Sequence, residues 1–452
     1  MASTMSVNFI TPLRALTCGS SRIGLADFAS QTCSGRRLRA SAKVCGSASF
    51  IQAQTRTLAT TRPEGKSTSL PLEGITVVSL EHAIAAPFCT RQLADQGARV
   101  IKVERPGVGD FARSYDTRTR GLASHFVWAN RSKESLTLDL KAPADLRVLN
   151  TLLSKADVLV QNLAPGASAR LGLSYEALRK QNPSLIVCDI SGYGSDGPYR
   201  DKKAYDLLVQ SEAGLLSVTG HPDKPAKVGI SIADISAGMY AFTNILGALL
   251  KRAKTGHGSR IDISMLESMT EWMSFPLYYA IDGAPGPQRA GAAHAAIYPY
   301  GPFETGDGGS VLLGVQNERE WAALCRDVIG DAGLAEDKRF ATNSARVRNR
   351  DALKDIICGA FSSLSAREAL DRLDAVGIAN AKMNDMQEVW DHEQLRARGR
   401  WVEIDTPAGP IPALLPPGAA CAADVRMGPV PALGEHNDAI LAELGFDQDD
   451  KP

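Results

Sequence analysis

The sequence predicts an α/β protein, with a Rossmann-like, doubly wound large domain followed by a smaller α+β domain. Three observations lead there. From residue 75 to 189, short β-rich runs alternate with helical stretches of about 10–12 residues, the rhythm of right-handed βαβ units around a largely parallel sheet. A Gly/Pro-rich stretch, Asp282-Gly283-Ala284-Pro285-Gly286-Pro287, then interrupts the pattern as a linker does. Beyond it, strands and helices follow in a different order.

Ile75 to Leu80 opens the large domain as a strand, a helix follows from Ala86 to Gln96, and Ala98 to Glu104 makes a second strand. Leu136 to Leu140 reads as extended, 142–153 as helical, and Asp157 to Gln161 as a strand. Tyr175 to Gln181 is a helix and Leu185 to Asp189 a strand. In the smaller domain Ser310 to Val315 is a strand, with helices from Glu318 to Ile329, Arg350 to Ser363 and Ser365 to Ala375. A last helix covers Asn437 to Leu444. The expected organisation is a leader over 1–69, a large domain over 70–282, a small domain over 283–406, and a segment over 407–452 that returns to the large domain.

The 452 residues carry 50 Lys+Arg and 50 Asp+Glu, a net charge of zero. Nucleic acid is thereby a poor partner, because phosphate backbones are bound by a surplus of cations. The longest apolar run, Ile235 to Leu250, is broken by Ser236, Thr243 and Asn244, which argues against a membrane span. The balance is uneven along the chain. Residues 1–60 hold Arg14, Arg22, Arg36, Arg37, Arg39, Lys43 and Arg56 against the single acid Asp27. A Ser- and Arg-rich, acid-poor start is the composition of an organellar transit peptide, here read as an address to the mitochondrial matrix. Outside this leader, Cys89, Cys188, Cys325, Cys358 and Cys421 are scattered with no CxxC and no His at metal spacing. They read as buried, reduced thiols, and no metal site is expected.

A parallel sheet binds ligands beyond the carboxyl ends of its strands, which gathers residues 81–87, 104–109 and 162–166 around one mouth. Glu104, ending the second strand, is where a dinucleotide fold holds a ribose, but the first turn, Glu81-His82-Ala83-Ile84-Ala85-Ala86-Pro87, has no GxGxxG. A dehydrogenase reading fails there. Asp234 stands where Lys227-Val228-Gly229-Ile230-Ser231-Ile232-Ala233 turns into a helix with Ile235, Met239, Phe242, Leu246 and Leu249 on one side. An N-cap explains an Asp there; so does an anionic nucleophile held charged and poorly hydrated. Lys203-Ala204-Tyr205-Asp206 reads as a polar helix start with a core-facing Tyr, and Asn162 to Gly166 with Arg170 as a βα turn able to cradle a phosphate or adenosine.

Taken together and in this order, these segments resemble the class III coenzyme A transferases, the family of formyl-CoA and carnitine CoA-transferases. The matching pieces are Leu72 to Val78, Gly97 to Pro106 with Gly109-Asp110, Leu138 to Lys141, Asn162 to Gly166, Val228 to Gly238, and Leu433 to Asn437. The resemblance implies that Asp234 is the nucleophile, passing through a mixed anhydride and an aspartyl-CoA thioester. It implies a CoA thioester as substrate, with no permanently bound cofactor, and an interlocked homodimer. It assigns Arg105 and Lys203 to phosphates, Leu138, Asp139, Leu140 and Lys141 to the adenine, and Asn162, Leu163, Ala164 and Arg170 to the nucleotide. Ile84 and Ala85 fall at the first turn, and Tyr205 at the reaction centre. Ile84 stands where formyl-CoA transferase has Gln, against formyl or oxalate chemistry. Gly286 to Ala293 is the candidate for the family's glycine-rich lid.

The rival within the fold is an α-methylacyl-CoA racemase, whose proton-transferring His precedes an Asp; the aligned triplet here, Ala204-Tyr205-Asp206, offers a Tyr instead. The likeness runs to the mitochondrial succinyl-CoA:dicarboxylate CoA-transferases, with a small carboxylic acid such as glutarate or itaconate as acceptor. A distal carboxylate needs a cation, for which Arg289 and His294 are the expected candidates.

Overall fold

The computed structural model of the protein describes residues 69–446. The leader on which the targeting expectation rests, residues 1–68, lies outside them. The chain begins with β1 (Thr76–Leu80), α1 (Ala85–Asp95), β2 (Arg99–Glu104), α2 (Ser124–Asn130), β3 (Lys133–Thr137), α3 (Pro143–Lys155) and β4 (Val158–Gln161). It continues through α4 (Ala167–Arg170), α5 (Tyr175–Gln181), β5 (Ile186–Ser191), α6 (Asp206–Glu212), α7 (Leu215–Val218) and the hairpin β6 (Gly220–His221) and β7 (Lys224–Pro225). The long helix α8 (Ile232–Thr255), β8 (Arg260–Ser264), α9 (Met265–Met273) and α10 (Phe275–Tyr279) follow. Six strands form a parallel sheet in the order β3-β2-β1-β4-β5-β8. Val77, Val100, Val158 and Ile186 point to the α1/α8 side, while Val78, Ile101, Leu159 and Val187 point to the α3/α5 side, so alternation along each strand feeds a core on both faces.

The strand expected at 136–140 sits earlier. β3 is Lys133–Thr137, and the chain leaves the sheet at Leu138, because the Asp145 carboxylate accepts from the Asp139 amide and Ala142 N–H donates back to Asp139. The polar run Lys133-Glu134-Ser135 disguised the strand. Its open edge is covered by the C-terminal segment: Ser135 N–H donates to His436 Nδ1 and His436 N–H to the Ser135 carbonyl, while Asn437 Oδ1 accepts from Thr137 N. A bare strand edge is thereby paired rather than left to other chains.

Past residue 290, β9 (Tyr300–Glu304), β10 (Ser310–Gly314) and, later, β11 (Ala379–Lys382) form an antiparallel sheet, with α11 (Glu318–Ala323), α12 (Asn343–Arg348), α13 (Arg350–Phe361) and α14 (Ala366–Ala375) between the last two. Trp321, Phe303, Phe340 and Phe361 fill its core. The helices α15 (Met386–Trp390) and α16 (Glu393–Ala397) lead to the hairpin of β12 (Trp401–Ile404) and β13 (Ile411–Leu414), and α17 (Asn437–Leu444) ends the described chain. The boundary expected at 406 falls inside that hairpin, whose registered pairing from Trp401–Leu414 to Ile404–Ile411 makes it one unit. Among the five described cysteines all are free, with Cys89, Cys188 and Cys325 buried; Cys421, expected inside, is exposed.

By length and composition α8 could cross a membrane, but here it packs on α1, α6, α9 and the sheet. Of the side that the apolar spacing suggested, Phe242 is buried and Met239, Leu246 and Leu249 pack half-buried against the core, but the deepest positions are Ala233, Ala237, Gly238, Ala241 and Ile245, because small residues let two helices approach closely. A Cβ at Gly238 would stand 2.6 Å from the Ala85 carbonyl oxygen, whereas one at Gly247 in the same helix would meet nothing within 4 Å. Gly→Ala normally stabilises a helix by about 0.5–1 kcal/mol. Urea denaturation should therefore show Gly247→Ala stabilised by about that much, and Gly238→Ala destabilised by roughly 1–3 kcal/mol through overpacking.

Candidate functional site

The turn between β1 and α1 is fixed by a cluster of buried charges. Glu81, 1 % exposed, accepts from Lys133 Nζ at 2.7 Å, from Thr90 Oγ1 at 2.7 Å and from Lys102 Nζ at 3.3 Å. Although burial opposes it, these cations hold the Glu81 carboxyl down at about 2, and burial lowers Lys133 to about 8. Lys102 also pairs with Asp110 at 2.9 Å, and the other Asp110 oxygen accepts from Ala83 N and Ala112 N. Ala83 has φ 60°, a left-handed conformation costly for a residue with a Cβ, and Asp110 pins it from one side. Asn162, at the end of β4, pins the other side by accepting from His82 N and donating to the His82 carbonyl, both at 2.9 Å.

Asp234 lies ahead of this turn. Gly238 of α8 packs on Ala85 of α1, and because α1 joins β1 to β2 while α8 leads into β8 of the same parallel sheet on the same face, both helices run against the strands and hence in the same direction. One turn before Gly238, Asp234 shares its face and lies level with residues 81–84. It is not the N-cap: Ser231 is, without a side-chain hydrogen bond, and Asp234 occupies the third helical position. The capping carboxylate comes from Asp206 at the start of α6, whose Oδ1 accepts from Ala233 N at 2.8 Å and Asp234 N at 3.4 Å. Its Oδ2 accepts from Gln210, which in turn accepts from Val228 N. Half-buried, with the Asp206 charge alongside, the Asp234 carboxyl is pushed up to about 7, chiefly by burial.

The other expected site residues divide into three groups. Arg105, Lys141, Lys203 and Arg170 are exposed and enter no ion pair found among the described residues, and the Arg170 guanidinium lies against Gly166, whose φ of 71° favours a residue without a Cβ. Ile84, Ala85 and Leu138 are buried, with Leu140 and Leu163 packed on the sheet core, so these five offer backbone rather than side chain. Asp139 closes its own turn on Lys141 N, Ala164 accepts the Ala167 amide through its carbonyl, and Asn162 is used as above. Tyr205, which the resemblance places at the reaction centre and the local pattern alone would turn to the core, is 68 % exposed at the N-cap of α6.

Arg289 and His294 already have structural partners. The Arg289 guanidinium donates to the carbonyls of Ser217, His221 and Pro222, and Gly291 N–H donates to Gly220, fastening the expected lid segment to the β6–β7 hairpin. His294 Nδ1 accepts from Ala296 N and Ile297 N while its ring stacks on Tyr300. Glu104, the ribose candidate, is spent on Arg113, Ser135 and the Asp110 amide. Sequence reasoning missed Glu81, Lys102, Asp110 and Asp206; Lys102, set between Ile101 and Val103 in a strand, was the signal that a buried counter-charge existed.

Comparisons with known proteins identify the family. The sequence profile described as CoA-transferase family III matches residues 72–437. The chain is 36 % identical over 386 residues to the succinate–glutarate CoA-transferase of Agrobacterium fabrum, covering 83 % of this chain and 96 % of that one. It is 32 % identical over 396 residues to the succinyl-CoA:glutarate CoA-transferase of Homo sapiens, covering 86 % and 90 %. Its fold is similar to the crystal structure of a CaiB/BaiF family protein from Brucella suis, with a TM-score of 0.74 and 35 % identity over 83 % of this chain and 100 % of that one. Profile, relatives and the parallel-sheet fold thus converge, and the chain belongs to CoA-transferase family III.

Proposed function

We propose that this class III CoA-transferase moves CoA from succinyl-CoA to a short dicarboxylic acid such as glutarate, with Asp234 as the nucleophile. The observation that carries the reading is the Asp234 carboxylate itself: half-buried, without a cationic partner among the described residues, and level with the turn at the mouth of the sheet. A carboxylate so placed is under-solvated and therefore reactive. Its oxygen attacks the thioester carbonyl, the C–S bond breaks, and CoA leaves as thiolate. The thiolate attacks Cγ of Asp234, releasing the donor acid with one oxygen from the enzyme and leaving an aspartyl-CoA thioester. The acceptor carboxylate attacks that Cγ and expels the thiolate. The thiolate then attacks the acceptor's acyl carbon, and Asp234 returns as a carboxylate with no net proton consumed.

Asp206 serves this cycle twice. It fixes the first turn of α8, and its charge raises the basicity of Asp234, since two like charges close together disfavour a second ionisation. The unpaired cations Arg105, Lys141, Lys203 and Arg170 supply the charge-assisted donors that CoA phosphates need. The groove lined by Phe88, Trp128, Met239, Phe242, Trp390 and Trp401 is read as a surface covered in a homodimer. The leader is read as a mitochondrial address.

The test is the full chain with succinyl-CoA and a panel of acids including glutarate, itaconate, butyrate and oxalate, run in heavy water beside a chiral 2-methylacyl-CoA. New thioesters without deuterium support the transferase; α-deuteration with no new thioester would make it a racemase. Asp234→Ala should lower transfer by at least about a thousandfold while leaving CoA binding within a fewfold. The wild-type kcat/KM for the donor should rise with pH through about 7 and then level, because only the deprotonated carboxyl attacks. The same raised value makes folding favour the protonated form. Relative to Asp234→Asn, the wild type should lose stability from about pH 4 to about pH 7, read as melting temperatures that diverge by several degrees. Residues 1–60 fused to a fluorescent protein should carry it to mitochondria, and a cytosolic signal would overturn that address.

A further inference from the structure

Arg289 is tied to three backbone carbonyls and His294 to two backbone amides through Nδ1, and a line of rings starting at the mouth of the sheet offers a further candidate for the distal carboxylate of a dicarboxylic substrate. It starts in the turn level with Asp234, where the His82 ring stacks on Phe111 with centroids 5.4 Å apart. Phe111 meets Tyr115 at 5.8 Å, and Tyr115 meets His125 edge-on at 5.4 Å. The three outer rings are open to solvent: Phe111 is 42 % exposed, Tyr115 48 %, and the His125 side chain 47 %. Tyr115 stands near the reacting carboxylate, since burial and then the charges of Asp110 and Asp234 push its phenol up to about 12 and keep it a neutral donor. At the outer end, His125 Nδ1 lies 3.5 Å from Asp116 Oδ2. Asp116 is itself held by Ser124 N, Ser124 Oγ and Arg118 N. The ring is oriented from its Nδ1 side, and Nε2 has no partner found among the described residues.

We propose that the face formed by Phe111, Tyr115 and His125 is the acyl subsite, and that His125 Nε2 holds the distal carboxylate of a short dicarboxylic substrate whose other carboxyl reacts at Asp234. This rests on the transferase reading above. Methylene groups lie well against aromatic faces, and a carboxylate prefers a charge-assisted donor at the end of the apolar path. Nε2–H donates to the distal carboxylate, whose negative charge strengthens the bond. The subsite therefore selects diacids over monoacids of similar length.

Steady-state transfer from succinyl-CoA to glutarate and to butyrate, by full-length wild type, His125→Leu and His125→Arg, tests this. In His125→Leu the KM for glutarate should rise by about tenfold or more with kcat largely retained, and the glutarate-to-butyrate ratio of kcat/KM should fall as much. His125→Arg, which restores a donor, should recover most of that ratio. Equal losses on both acids, a fall in kcat at unchanged KM, or no change in the ratio would overturn the assignment of His125 while leaving the transferase intact. A wild type that transfers CoA to no acid in the panel would instead remove the transferase reading itself.

Discussion

Glu81 keeps its charge with almost no exposed surface, and the working edge of the sheet is built around that fact. Removing one partner from a buried ion pair is strongly destabilising, by about 3–5 kcal/mol, because the other charge is left without water or counter-ion. Here one carboxylate answers two buried lysines from neighbouring strands, and Lys102 carries the linkage on to Asp110. Through Asp110 the cluster reaches the backbone of Ala83 and holds it in a conformation that it would not otherwise keep. The charges hold the turn, and the turn sets the start of α1, against which α8 brings Asp234. A site at the end of a parallel sheet thus owes its shape to ion pairs beneath it.

A second constraint works in the opposite direction. Asp206 satisfies two amides in the first turn of α8, yet it places a second acid beside Asp234. A Ser or Asn could cap the helix without that repulsion. A carboxylate cap raises the free energy of the ionised Asp234, and a nucleophile gains basicity from the same interaction that costs the fold stability. Function and stability meet in this pair, which is where strain in a protein is expected to collect.

The sheet's order of elements was legible because apolar β-branched runs alternate with helical stretches, and most strands and helices fall within a residue or two of their expected bounds. β3 was not, since Lys133, Glu134 and Ser135 look like a surface loop until Glu81, Arg99 and Glu104 are known to meet them. Asp234 stood out in the sequence as an acid beside an apolar helix, but its cap was misassigned because the capping residue lies 28 positions away. Long-range partners of this kind leave no local periodicity. The contacts of Arg289 and His294 were hidden for a related reason: a cation and an imidazole after a linker look free until the carbonyls and amides they meet are in view. Tyr115 and His125 carry no sequence pattern of their own, and only the fold lines up their rings.

The central claim is that Asp234 becomes covalently attached to CoA. Mixing the full chain with succinyl-CoA in the absence of an acceptor, quenching in acid and mapping peptides by mass spectrometry tests it directly. The account predicts a CoA thioester on the peptide containing Asp234, discharged when glutarate is added before the quench. Turnover with unmodified Asp234, or with CoA found on another residue, would contradict it.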